Sequence, residues 1–232
     1  MPDLISDQNF IRIILALGML LGASFLDLKK REINDIYWIV FAAVSVVMLV
    51  ISPDIWTTMR TIGISLIIAP IALVIWRVGI FGGADAFCLI VLAALAPLST
   101  LNGTWISPLT TLTNAAIISI LPIFANLIRN GVAMIRKENI FEGFDETRLN
   151  KIIAVFLGYK AKNPKYSFAI ERVEGDHKRL DLSFRHAENT SFCNNSETWV
   201  TPGIPYLIYI TTGFIIQIFF GDVIFGLINT LR

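Results

Sequence analysis

Two cysteines and two histidines in 232 residues leave little material for a disulfide framework or a metal centre. Cys88 lies inside a strongly apolar run and Cys193 in a polar stretch, so neither a Cys-x-x-Cys site nor a stapled small domain is supported. His177 and His186 stand in a charged region without further ligand-type clustering, which argues against a zinc hydrolase. Charge is scarce as well: 16% of residues are charged against 55% hydrophobic, and the mean hydropathy is +0.67. That composition excludes a single soluble core of ordinary make-up and puts the chain among membrane proteins.

Where charge does occur, it is concentrated. Of 19 basic and 18 acidic residues, eleven and ten fall between Gly131 and Val200, so this stretch is the water-soluble part. It is balanced in sign, which argues against a nucleic-acid partner. Elsewhere six apolar runs approach the roughly 20 residues that a helix needs to cross a bilayer: Asn9–Leu26, Ile36–Ser52, Thr61–Ile80, Ala86–Leu98, Thr111–Ile128 and Gly203–Leu231. The fourth is short, with Pro97 near its end. The first lacks a basic n-region, carries Asp3 and Asp7 ahead of it and is followed by Lys29-Lys30-Arg31, so it reads as a retained helix and not a cleaved signal. The expectation is an all-α polytopic membrane protein of six transmembrane helices, with a small α+β insert before the last. Its parts are residues 1–130, the insert 131–200, and 201–232.

Basic residues also gather in Lys29-Lys30-Arg31, at Arg77, and at Arg129 and Arg136-Lys137, whereas Pro53–Arg60 and Ser99–Thr110 hold only Asp54 and Arg60. The positive-inside rule then puts the first group of turns and the insert in the cytoplasm and the N-terminus outside. Within the insert, Phe144–Tyr159 carries apolar residues at helical spacing, an amphipathic helix as suited to lying on the membrane surface as to packing on its own subdomain. Ser167–Val173 and Arg179–Arg185 alternate around Glu174-Gly175-Asp176-His177 and predict a β-hairpin, with a polar loop at Asn189–Thr198. Pro202 and Pro205 mark the start of the last helix.

Two carboxylates stand out against this background. Asp27 closes the first run, and Asp85 follows Phe81-Gly82-Gly83-Ala84 and opens the fourth. An acid at the centre of a membrane helix costs roughly 2.5–3.5 kcal/mol on insertion scales, so an acid at a membrane seam is rarely accidental. Singly, each has a plain structural role available: Asp85 as a helix-start acid after glycines that permit positive φ, and Asp27 as a membrane-edge acid paired with Lys30 or Arg31. Together, both on the cytoplasmic side, they suit aspartyl hydrolysis. There one carboxylate draws a proton from water while a protonated partner polarises the scissile carbonyl. The two titrate as a pair, so the sequence does not say which is base and which acid.

At these residues the chain resembles the prepilin peptidase family of intramembrane aspartyl proteases, above all its compact archaeal branch of preflagellin (archaellin) and type IV prepilin-like signal peptidases. The resemblance lies in Leu26-Asp27 followed by Ile33-Asn34, and in Gly82-Gly83-Ala84-Asp85 opening a later membrane helix. It implies six helices, Asp27 and Asp85 as catalytic pair, no cofactor, and removal of the short basic leader of class III signal peptides from archaellin or pilin-like precursors at the cytoplasmic face. The chain departs from the family at two points: Ala84 stands where the broad signature has glycine, and Phe87 where many relatives carry lysine. Bacterial members commonly add a cysteine-rich segment and N-methylate the new terminus, and its absence here argues for peptidase activity alone.

Other acids read as decoys. Glu32 and Asp35 are turn acids that suit a basic leader but more often serve as solvated charges. Asp54 and Asp222 belong to the outer face, the latter some 28 Å along the last helix from Gly203. Trp38, Trp56, Trp76, Trp105 and Trp199 lie near expected helix ends, as interface anchors do. Two rival functions use the same pair of acids: a proton or cation path through a transporter, and a presenilin-like protease cutting within the bilayer.

Overall fold

The structure is a computed structural model that describes residues 7–98, 108–174, 177–183 and 190–230. The chain divides into two compact units, Met1–Ser119 with Pro205–Arg232, and Ile120–Ile204.

The first unit is helical. Its elements are α1 (Asp7–Lys30), α2 (Asp35–Val50), α3 (Ile55–Ser65), α4 (Ile68–Val78), α5 (Gly83–Leu95), α6 (Pro108–Ile118), α9 (Tyr206–Phe220) and α10 (Val223–Thr230). The second contains α7 (Leu121–Ile135), α8 (Arg148–Leu157) and five short strands. Two prolines and a glycine set three of the breaks. Pro70 lacks the N–H that Leu66 would accept and crowds its carbonyl, so α3 and α4 separate at Leu66–Ile67. Pro122 does the same between α6 and α7. Gly221, at φ 73°, turns the chain between α9 and α10.

Three helical stretches are long and apolar enough to cross a membrane: Gln8–Lys30, Ile55–Val78 and Pro108–Ile135. The other three expected crossings are shorter apolar helices, α2, α5 and α9, of 16, 13 and 15 residues. At 1.5 Å per residue they measure about 20–24 Å, less than the roughly 30 Å of a hydrocarbon core. The fold is thus a mostly helical membrane protein with a small sheet region. In α5 the cause of the shortness is local, because Pro97 holds Ala96 out of the helical region (φ −130°, ψ 67°).

α5 is apolar all round and correspondingly central, with Ala86, Cys88, Leu89, Leu92, Ala93 and Leu95 buried. α1 and α2 join it at one end through Arg12. This buried guanidinium donates to Leu95 O at 3.0 Å and to Met48 O at 2.7 Å. A cation thereby meets the carbonyl ends of α5 and α2, where the helix dipoles concentrate negative charge. α1 meets α9 through Ser24, Thr211 and the carbonyls of Leu20 and Leu207. α6 meets α9 closely enough that a Cβ on Gly213 would stand 2.5 Å from Thr111 O. Thr111 bonds Gln217 across this seam, and Asn114 bonds the Gly221 carbonyl at 3.0 Å. Small residues and side-chain hydrogen bonds are what hold helices together where lipid supplies no hydrophobic drive.

In the second unit β1 (Tyr159–Ala161) and β2 (Ser167–Ala169) flank β5 (Thr198–Pro202), all antiparallel. β3 (Glu171–Glu174) and β4 (His177–Leu180) form the hairpin. The hairpin expected from the sequence exists but starts four residues later, because Ser167–Ala169 pairs with β5 instead. Ile170 marks the change of partner, donating to Trp199 O and accepting from Asp181 N. Phe184, Arg185 and His186 lie outside the described residues, as does Trp105. Trp199 is a core residue and not an interface anchor: it is fully buried, stacks on Phe141 at 4.7 Å and donates its indole N–H to Ile140 O at 2.7 Å.

The C-terminal turn of α8 leaves none of its carbonyls to chance. Ala154 O takes the Gly158 N–H, Val155 O and Gly158 O take Asn130, Phe156 O takes Asn126, and Leu157 O takes the Thr201 hydroxyl. These are groups that a helix cannot satisfy itself. Two buried asparagines of α7 therefore hold α8 end-on.

Candidate active site

Asp85 sits in the first turn of α5. Gly82 precedes that helix in extended conformation (φ −79°, ψ 167°), and its N–H donates to Asp85 Oδ2 at 3.0 Å. The carboxylate thus completes the N-terminal turn by binding the amide three residues back. The positive φ expected of these glycines is not used at Gly82; in this turn it falls on Gly79 (φ 86°), which ends α4. Asp85 is 8% exposed.

Asp27 lies in the last turn of α1, half-buried. Arg31, one turn on, supplies an opposing charge, and the carboxylate accepts a hydrogen bond from the backbone amide of Leu207. That amide belongs to the first turn of α9, whose N-cap, Pro205, offers no side-chain acceptor. An acid from α1 therefore satisfies an orphan donor of α9. The neighbouring residue, Tyr206, has its phenol within electrostatic reach of Asp85 and stacks on Phe81 with ring centroids 5.5 Å apart.

Of the two acids chosen from the sequence, Asp27 meets the first turn of α9 through the Leu207 amide, and Asp85, in the first turn of α5, is within electrostatic reach of the Tyr206 phenol. Sequence reasoning gave no weight to Tyr206, Ser24 or Thr211, which frame this end of the site. The signal available for Tyr206 was its place directly after Pro205, at a helix start. Asn34 of the Ile33-Asn34 pair is the N-cap of α2, accepting from Ile36 N at 2.9 Å. Phe87, in the place where many relatives carry lysine, packs against Trp76 with centroids 6.0 Å apart.

The remaining acids are occupied or remote. Thr57 donates both its hydroxyl and its amide to Asp54, which holds that carboxyl below the usual aspartate range as a helix cap. Asp222 follows the far end of α9, about 22 Å along the helix from Tyr206, and accepts from Thr110 at 3.1 Å. Glu32 and Asp35 are exposed.

The chain is a mostly helical membrane protein with a half-buried carboxylate in the last turn of α1 and a buried one in the first turn of α5. Residues 14–124 match the Type IV leader peptidase family, and residues 150–223 match the Archaeal Peptidase A24 C-terminus Type II. A preflagellin peptidase of Methanococcus maripaludis is 30% identical over 224 residues, covering 90% of this chain and 94% of that protein. A preflagellin peptidase of Methanocaldococcus jannaschii is 26% identical over 231 residues, covering 94% and 96%. The chain belongs to the type IV leader peptidase family and is a peptidase.

Proposed function

We propose that this peptidase removes the short basic leader from archaellin or type IV pilin-like precursors by aspartyl catalysis at Asp27 and Asp85. What supports the reading is that the chain is related over nearly its whole length to preflagellin peptidases, and that Asp27 accepts the Leu207 amide while the neighbouring Tyr206 phenol is within electrostatic reach of Asp85.

In this mechanism the pair holds one proton and one water between its carboxyls. The ionised carboxylate takes a proton from water while the hydroxyl oxygen adds to the scissile carbonyl carbon. The protonated carboxyl gives its proton to the carbonyl oxygen, so that no charged oxyanion forms. Collapse of the tetrahedral intermediate breaks the C–N bond. The amine leaves with a proton returned through the pair, and the coupled titration belongs to both residues and to neither alone. No metal or cofactor enters.

The topology that suits this reaction has six crossings, with α2, α5 and α9 spanning a locally thinned or polar-lined bilayer. The N-terminus is then outside, and the insert 131–200 and both acids face the cytoplasm, where precursor leaders wait. The test is cleavage of a candidate precursor in membranes by the native chain and by Asp27→Asn and Asp85→Asn. Both variants should fold and fail to cleave. Robust cleavage by either sinks the assignment. A truncated precursor whose cut site lies outside its apolar run should remain a substrate, which a presenilin-like protease would not accept.

A further inference from the structure

We propose that α8 is a membrane-surface helix, its apolar stripe seated in the lipid interface of the bilayer that the chain itself spans. Leu149, Ile152, Ile153 and Phe156 are 65%, 56%, 37% and 40% exposed. At 100° per residue these positions form one stripe along the helix. Ala154 and Val155, on the opposite side, are buried against Ile140, Ile170 and Trp199. Lys151 on that same side folds back to Phe144 O at 3.2 Å. The helix therefore has its own core contact and, in addition, a second apolar face that the described residues of its unit leave open.

The depth of that face follows from α7. The run Pro108–Ile135 is of membrane length, and basic Arg136 and Lys137 follow it directly. Asn126 and Asn130 stand nine and five residues before Ile135, or about 14 and 8 Å along the helix. They hold the carbonyls of Phe156, Val155 and Gly158, so the C-terminal end of α8 is fixed at the level where the apolar run approaches its end. Interfacial helices bury their apolar face about 5–10 Å into the boundary between headgroups and acyl chains, and the level of Asn130, which holds Val155 and Gly158, falls within that range. The surface is also continuous in character, since Phe124, Ile128, Val132 and Ile135 of α7 are exposed apolar residues. Arg148 at the start of α8, with Arg136 and Lys137, supplies positive charge for anionic headgroups.

The placement of α8 is read without any substrate and independently of cleavage. The full chain carrying Ile153→Cys is labelled with an environment-sensitive fluorophore and placed in phosphatidylcholine–phosphatidylglycerol vesicles. Cys88 and Cys193 are buried, and the unsubstituted chain gives the background. A shallow nitroxide lipid should quench the label and aqueous iodide should leave it bright, whereas a label at Lys162→Cys on exposed backbone beyond β1 should show the reverse. Leu149→Cys repeats the measurement if the first variant folds poorly. Quenching by iodide with none from the lipid overturns the proposal, because the stripe then faces water. Shielding from both quenchers overturns it too, because protein then covers the stripe.

Discussion

Ser24 and Thr211 meet hydroxyl to hydroxyl at 2.7 Å, and each reaches a backbone carbonyl besides: Ser24 that of Leu207 at 3.1 Å, Thr211 that of Leu20 at 3.2 Å. One turn further along α1 is Asp27, and the carbonyl that Ser24 binds belongs to the residue whose amide Asp27 takes. The pair fixes the height of α1 against α9, and with it the position of one proposed catalytic acid.

The consequence is graded. Interhelical hydrogen bonds in membranes average about 0.6 kcal/mol and rarely exceed about 1.7. Ser24→Ala should therefore lower stability in detergent by about 1 kcal/mol and reduce the turnover of precursor several-fold without abolishing it. Equal loss in Ser24→Ala and Asp27→Asn would mean that the seam and not the acid is what the reaction needs. Thermal unfolding beside a cleavage time course separates the two.

Asp27 and Asp85 each accept a backbone amide, so each has a structural role that competes with the catalytic one. Asparagine retains an acceptor oxygen for Leu207 N–H or Gly82 N–H and loses only the acid. Asp85→Asn should keep native thermal stability and lose cleavage. Asp85→Ala should lose cleavage and in addition about 1 kcal/mol for the missing cap. If Asp85→Asn cleaves while Asp85→Ala does not, capping is the whole of its function.

The candidate acids were legible from sequence because their signals are local. A carboxylate ending one apolar run and another opening a later one are visible without coordinates, and so is Pro205 before a helix. What was not legible are the partners that come from far along the chain. Arg12 stands in the first apolar run as a cation without an acid, and its partners are the carbonyl ends of α2 and α5, 36 and 83 residues away. No side-chain pattern announces a carbonyl. The same limit explains Trp199, which looks like an interface anchor beside the last helix but is drawn inside the insert by Ile140 and Phe141. It also explains the three short helices, since hydropathy runs through their ends while Pro97, Gly221 and local turns stop the backbone earlier.

The α6–α9 contact yields a prediction about space. A Cβ on Gly213 would stand 2.5 Å from Thr111 O and 2.8 Å from Ala115 N, both backbone atoms that move only if the helix moves. Gly213→Ala should already separate the helices, and Gly213→Val should do so further. Overpacking of this kind costs about 1–3 kcal/mol. The measurement is the unfolding temperature in detergent, with Gly18→Ala as comparison, where a Cβ meets nothing within 4 Å and the same exchange should cost nothing of this kind.

The insert carries a pH dependence of its own. Burial works against ionisation of Glu146, yet the Asn150 amide group, the backbone amides of Leu180 and Thr147 and the charge of Arg179 outweigh it and hold this carboxyl below the usual glutamate range. The bonds from Asn150 Nδ2 and Leu180 N are both 2.7 Å. A carboxyl whose folded value is depressed stabilises the fold above its unfolded value of about 4.3, and that contribution disappears as pH falls through the lower folded value. The start of α8 and the end of β4 should therefore part company in acid. Glu146→Gln keeps an acceptor for Leu180 but not the charge, so its unfolding temperature should lie below that of the native chain at neutral pH and converge with it below about pH 4. Because Glu146 is partly exposed, the gap should be small and should shrink in high salt. A gap that widens in acid would mean that Glu146 is held protonated, and the network around Leu180 would then have to be redrawn with Glu146 as a donor.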